Sequence, residues 1–200
     1  MRKYPTIPEA EEALEEASKT NPGRWVGHSR YAAQACRNIA NLVPGMNPEK
    51  AYVVGLLHDI GRWPGKINEK HLINGYTYCM ERGWDEIARI CISHSFVLHD
   101  IGVTLGKMDV TPEEYQFMKH FVETEIWDNY DRLIQLCDNL ALPDGFCLIE
   151  SRIVDVTRRY GVNDLTVQRI NAIYEIKEDF EKQMGCSIYD VLPGAAQHHL

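Results

Sequence analysis

Residues 48–61, PEKAYVVGLLHDIG, read as a helix that is apolar almost all round and ends in a histidine–aspartate pair. A helix without a polar face belongs at the centre of a core, because turning any side to water exposes apolar surface. The rest of the chain must therefore wrap this segment, and most of it also reads as helix. Asn47-Pro48-Glu49 supplies an N-cap with proline at the first helical position. Upstream, Pro8 opens the acidic run EAEEALEEA, which predicts a helix over 8–20 with carboxylates near its positive end. Asn21-Pro22-Gly23 breaks it. In RWVGHSRYAAQACRNIANLV, the residues His28, Ala32, Cys36, Ile39 and Val43 recur at three- and four-residue spacing, one face of a second helix that Pro44-Gly45 ends.

Downstream, helices are expected from Glu69 to Arg82 and from Asp85 to about Ser95. The stretch FVLHDIGVTLGKMDV, with its two glycines, reads as loop. Thr111-Pro112-Glu113-Glu114 fits a capping box and opens a helix that runs into the apolar pattern Leu133, Leu136, Cys137, Leu140, with a stop at Pro143-Asp144-Gly145. Two more helices follow, Leu148 to Tyr160 and Asp164 to Met184, with Gly161 and Gly185 where C-terminal stops belong. Alternating strand patterns are scarce, and no fixed-period repeat is visible. The expectation is an all-α helical bundle forming a single domain over 1–200.

Composition narrows the function classes. The chain has 200 residues, 44% of them hydrophobic and 25% charged, which fits a soluble globular domain with a core of its own. No apolar run approaches the ~20 residues of a membrane-spanning helix. The start, MRKYPTIPEAEE, has no apolar segment of the secretory type. A net charge of −8 argues against a polynucleotide partner, which needs a basic footprint. It does not argue against a small anion, because a metal supplies positive charge locally. The six cysteines form no C-x-x-C pair, and several sit on apolar faces. Free buried thiols in a reducing cytoplasm are the expectation.

The histidines and aspartates carry the chemistry. With 8 His and 12 Asp in the chain, about 0.5 His-Asp dipeptides are expected by chance, so a bare pair is weak evidence. His58-Asp59 gains weight from its place at the end of the most hydrophobic helix, where an unpaired aspartate costs several kcal/mol. His28 lies on the inward face of its helix, and His94 follows Ile87, Ile90 and Cys91. Asp138 sits beside Leu136, Cys137 and Leu140, and His71 falls in the first turn of its helix. Each alone is more often a hydrogen-bonded core residue or a cap than a ligand. Five such positions on different core helices, together with Asp59, match the way bundles build metal centres from facing helices.

His28, then GLLHDIGR, then His71 in HLINGYTYC, His94 in ICISHSF and Asp138 in LIQLCDNLAL together resemble the ordered H…HD…H…H…D pattern of the HD-domain metal-dependent phosphohydrolases. The resemblance runs from about Arg24 to about Tyr160, with helix 8–20 and the helices of about 164–192 packed on that core. It implies a helical bundle, in agreement with the helix signals. It also implies one metal held by His28, His58, Asp59 and Asp138, and a second held by Asp59, His71 and His94. The cofactor would be one or two divalent transition metal ions, Fe, Mn, Co, Ni or Zn, since imidazole and carboxylate suit all of them and no thiolate takes part. Two such ions activate a water for in-line attack on phosphorus.

Asp59 and Arg62 are the expected catalytic residues. Arg62, directly after HDIG, is placed to clamp a phosphate oxygen, or else is an ordinary surface arginine; Lys66 is a weaker candidate. Trp63, Trp84, Trp127 and Tyr76 are the aromatics able to stack on a base, though such residues are more often core. GVTLGK is not a phosphate-binding P-loop. The leading reading is hydrolysis of a phosphate ester of a nucleotide or similar small phosphometabolite, with no polynucleotide or membrane partner. The alternative is an HD-fold di-iron oxygenase using the same six ligands; a non-catalytic ligand sensor ranks third. Leu98-His99-Asp100-Ile101-Gly102 repeats residues 57–61, but it lies on a stretch read as loop, five residues after His94. It is expected to be a decoy.

Overall fold

A computed structural model describes residues 3–197. The protein is mostly α-helical, about 65% of it, with nine α-helices and one two-stranded hairpin among the described residues. Met1 and Arg2, part of the segment read for a leader, lie outside the described residues.

Helix α1 (Ile7–Thr20) starts one residue before Pro8, because Thr6 and Glu9 close a capping box around its first turn. Its inner face is Ala10, Ala13, Leu14 and Ala17. Helix α2 spans Arg24–Ala40 and α3 spans Pro48–Leu57, the latter capped by the Asn47 side chain on the amides of Glu49 and Lys50. All of α3 from Val53 onward is buried, as its all-round apolarity requires. It packs most extensively on α2 and also touches α1, α5 and α7. The approach to α2 is close because Gly55 faces Ala33: a Cβ there would lie 2.5 Å from the Ala33 Cα.

The predicted helix over 48–61 ends early. His58 caps α3, and Ile60–Arg62 forms a separate 3-10 turn. Then come α4 (Lys70–Met80) and α5 (Asp85–Ser93). Residues 96–110 carry only the short 3-10 turn Ile101–Val103, yet they are anchored. Phe96, Ile101 and Val103 join Leu72, Ile92, Met118 and Val122 in a second apolar cluster beside the main core.

Residues 111–140 need a correction. The capping box at Thr111 forms as predicted, but α6 (Pro112–Thr124) does not run into the later apolar pattern. A new helix, α7 (Asn129–Cys137), starts at Asp128, whose carboxylate caps Tyr130 and Asp131 while Asp131 returns a bond to the Asp128 amide. A strong local cap outweighs continuity of the hydrophobic period. The second correction is at Pro143-Asp144-Gly145, which turns a hairpin instead of merely stopping a helix. Strands β1 (Ala141–Leu142) and β2 (Gly145–Phe146) pair antiparallel.

Helices α8 (Ile149–Tyr160) and α9 (Thr166–Met184) complete the bundle, ended by Gly161 and Gly185 at positive φ. Five cysteines are buried, Cys186 is half-buried, and all six are free. No helix among the described residues is long and apolar enough to cross a membrane.

Candidate metal centre

The ends of α3, α5 and α7 converge with the inner face of α2 and the first turn of α4. Each contributes a histidine or an aspartate. His28, His58, His71 and His94 are all buried, and Asp59 is 4% exposed. Asp138 keeps 22% of its side chain open, toward a cavity of about 750 Å³ that it lines with Asp59, His71 and His94.

The four imidazoles are oriented in one way. Their Nδ1 atoms meet backbone carbonyls: His28 at Ala141 (3.1 Å), His58 at Gly55 (2.7 Å), His94 at Ile90 (3.1 Å) and His71 at Asn68. A carbonyl only accepts, so each Nδ1 carries a proton and each ring turns its Nε2 toward the centre. Those Nε2 atoms point at carboxylate oxygens. His28 lies 2.8 Å and His58 3.9 Å from Asp138 Oδ1, while His71 lies 3.1 Å and His94 3.7 Å from Asp59 Oδ1. His58 Nε2 and Asp59 Oδ1 are buried and have no hydrogen-bond partner. A buried imidazole nitrogen and a buried carboxylate oxygen left without partners are costly unless a cation takes them up. The residues therefore fit a divalent transition metal.

Two sets of donor atoms lie within 4.8 Å of one another: His28, His58 and Asp138, and His58, Asp59 and His94. The element common to both sets is His58, whereas the resemblance implied Asp59. His71 falls outside both sets and meets Asp59 Oδ1 at 3.1 Å.

Arg62, read as a phosphate clamp or a surface arginine, is half-buried in the cavity lining and tied to Asp59 and His71. Its Nε donates to Asp59 Oδ2 at 2.6 Å and its Nη2 sits 3.3 Å from His71 Nε2. Burial pushes the Asp59 carboxyl up, but the Arg62 guanidinium, with His58 and His71, holds it well below the usual carboxylate range. Asp138 is likewise held well below that range: burial is outweighed by His28, Arg152 and His58.

Burial lowers His58 and pushes His94 down to about 3, against an ordinary value of 6.5. Both rings are neutral when folded, whereas the unfolded chain takes up protons on them below pH 6.5. Their contribution to stability is thus complete above pH 6.5 and is lost progressively as the pH falls below it, for His94 down to about 3. Chelator-stripped protein should lose stability from pH 6.5 to 4.5 by up to roughly 1.4 kcal/mol per pH unit from His94, with His58 adding in the same direction. His94→Gln should flatten the slope in a thermal-melt series. A pH-independent Tm in the parent would show that the rings are not held dry.

The hairpin is part of the site, since the Ala141 carbonyl that fixes His28 belongs to β1. The second LHDIG copy lies elsewhere. His99 stacks on Trp127 at 3.7 Å and bonds the Val122 carbonyl, while Asp100 caps the Gly102 amide. Neither lines the cavity. Among the aromatics proposed to stack on a base, Trp84 packs on Tyr78, Trp127 on His99, and Tyr76 on Phe117 and Phe121, while Trp63 points to solvent; none of the four lines the cavity. Trp25 and Tyr160 line it instead. Trp25, three residues before His28 on the same helix, was legible as a neighbour of that histidine.

Lys66 lines the cavity as an exposed residue. Two further residues carried no sequence signal. Glu69 is buried at the cavity wall with Oε2 unpartnered, and burial raises its carboxyl against the pull of His71 and Arg62. Arg152 reaches to 3.8 Å from Asp138.

Residues 11–107 match the family model of the HDOD domain, an HD-related domain. The matched stretch begins in α1 and holds His28, His58, Asp59, Arg62, His71 and His94, but it ends before Asp138. No curated protein matches the chain, and no solved structure does.

Proposed function

We propose that the protein is a metal-dependent phosphohydrolase that cleaves a phosphate ester of a nucleotide or similar small phosphometabolite. One observation carries the reading. Four imidazoles with their Nδ1 atoms tied back to carbonyls and two carboxylates converge at one end of a cavity whose lining has six cations against four carboxylates, in a chain of net charge −8. His28, His58 and Asp138 would hold one ion, and Asp59 with His58 and His94 a second, with His71 behind Asp59. Bound there, such ions polarise phosphoryl oxygens and lower the pKa of a water.

The chain's own residues do the rest. The backbone carbonyls lock the imidazole tautomers, so no ring has to rearrange for binding. Arg62 neutralises Asp59 and lines the cavity, where its remaining N–H donors would meet a phosphoryl oxygen. The buried floor around His58 excludes bulk water and strengthens each of these charge interactions. An oxygenase would use the same donors; the cationic lining favours a phosphorylated substrate over it.

The deciding experiment is anaerobic purification, elemental analysis, and turnover of a phosphoester panel with and without oxygen. One to two equivalents of a first-row metal and oxygen-independent phosphate release are expected. Arg62→Ala should reduce turnover by about 10–10³-fold with metal content kept. Oxygen-dependent turnover, or a metal-loaded protein inert on every ester, would replace this reading.

A further inference from the structure

Helices α8 and α9 supply part of the cavity lining, and that part carries more positive charge than its one carboxylate, Asp155, neutralises. Arg169 on α9 lines the cavity half-buried, and its side chain makes no hydrogen bond or ion pair among the described residues. Burial lowers its guanidinium from the ordinary arginine value, while Asp138 and Glu69 act against that and Arg152 acts with it. A guanidinium taken partly out of water without a counter-ion is destabilising unless something anionic arrives.

Its neighbours on α8 share their partners thinly. Asp155 alone serves both Arg152 (Nη1 at 3.3 Å) and Arg159 (Nε at 3.2 Å). The other partner of Arg152, Asp138, is already bonded to His28, and Arg152 Nε is buried with no partner. Arg152 and Arg159 are two helical turns apart, about 10 Å along the axis. The wall therefore runs from beside the donor cluster outward along the cavity.

We propose that Arg152, Arg159 and Arg169 form a second anion subsite, so that the ligand carries a further phosphate group beyond the one that faces the histidines. The inference shares its cavity with the proposed function and rests on that reading for the first phosphate, but binding at the wall needs no hydrolysis. Guanidinium groups suit this ligand because their paired N–H donors match phosphate oxygens. A cavity of about 750 Å³ has room for a ligand of nucleotide size.

The test is calorimetric titration of the chelator-stripped protein with inorganic phosphate, pyrophosphate and tripolyphosphate. Tripolyphosphate should bind at least about tenfold more tightly than phosphate. Arg169→Gln and Arg159→Gln should each weaken it by about tenfold or more, whereas Arg82→Gln, which stacks on Tyr78 away from the cavity, should not. Arg159 is exposed enough that its variant folds even if the Arg169 variant does not. No tripolyphosphate binding by the parent, or parent-like binding by both variants, would overturn the subsite. Arginine-dependent binding in a protein that hydrolyses no ester would reject the hydrolase reading alone. Hydrolysis without arginine-dependent binding would reject the subsite alone.

Discussion

The His58→Ala, Asp59→Ala double variant should bind no transition metal and show no phosphoester turnover, while His99→Ala, Asp100→Ala keeps its metal and most of its activity. The two pairs sit in the same tetrapeptide, so only their surroundings separate them. His58 contributes to both donor sets, and Asp59 anchors His71, His94 and Arg62. Removing the pair leaves His28 and Asp138 as a two-ligand remnant on one side and two unanchored imidazoles on the other. His99 and Asp100 serve the loop on which they lie, one ring stacked on Trp127 and one carboxylate capping Gly102.

A thermal melt with added metal gives a second readout. A metal that binds only the folded parent at 100 times its dissociation constant adds roughly 2.7 kcal/mol. The His58, Asp59 variant should gain nothing, and the His99, Asp100 variant should gain as much as the parent. Loss of metal in the His99, Asp100 variant, with the other intact, would move the centre to the second copy.

Gly61→Ala should be the most destabilising single substitution near the site, by about 3 kcal/mol or more. A Cβ at Gly61 would sit 1.9 Å from the His71 carbonyl oxygen and 2.3 Å from the Gly75 amide nitrogen. Both are backbone atoms of α4, which cannot turn aside as a side chain would. The 3-10 turn Ile60–Arg62 would have to lift off α4, and that turn follows directly on Asp59. The variant should therefore lose metal affinity as well as stability. By contrast, Gly65→Ala has open space around its Cβ and strains only the backbone, at φ +139°. Urea melts of the two variants, with metal content measured alongside, check the ranking. A Gly61→Ala protein as stable as the parent would mean that the turn is not seated on α4 as described.

The glycine of HDIG is thus explained by contact with α4, which the tetrapeptide itself does not reveal. Other elements were legible because their causes are local. Asn47 with Pro48, and Thr111 with Glu114, each set a helix start within four residues. His28 and His94 were placed inward by the apolar residues three and four positions away on the same helix. The break at Asp128 was missed because its cap has to be weighed against a hydrophobic period that continues past it. The hairpin at Ala141–Phe146 was missed because two paired residues per strand are too few to show alternation.

The sequence by itself determined the helical class, most helix starts and stops, and the chain order of the four histidines and two aspartates that the fold brings together. These follow from side-chain chemistry acting over one or two turns. The tertiary structure alone decided that His58 joins the two donor sets, that Arg62 is bound to Asp59, and that the hairpin carbonyl of Ala141 orients His28 across 113 residues of sequence. It also decided that α8 and α9 bring Arg152, Arg159 and Arg169 to the cavity that His28, His71 and His94 line. These features depend on the close packing of helices distant in the chain, where a glycine at position 55 or 61 sets how near two backbones come and so where each donor atom ends.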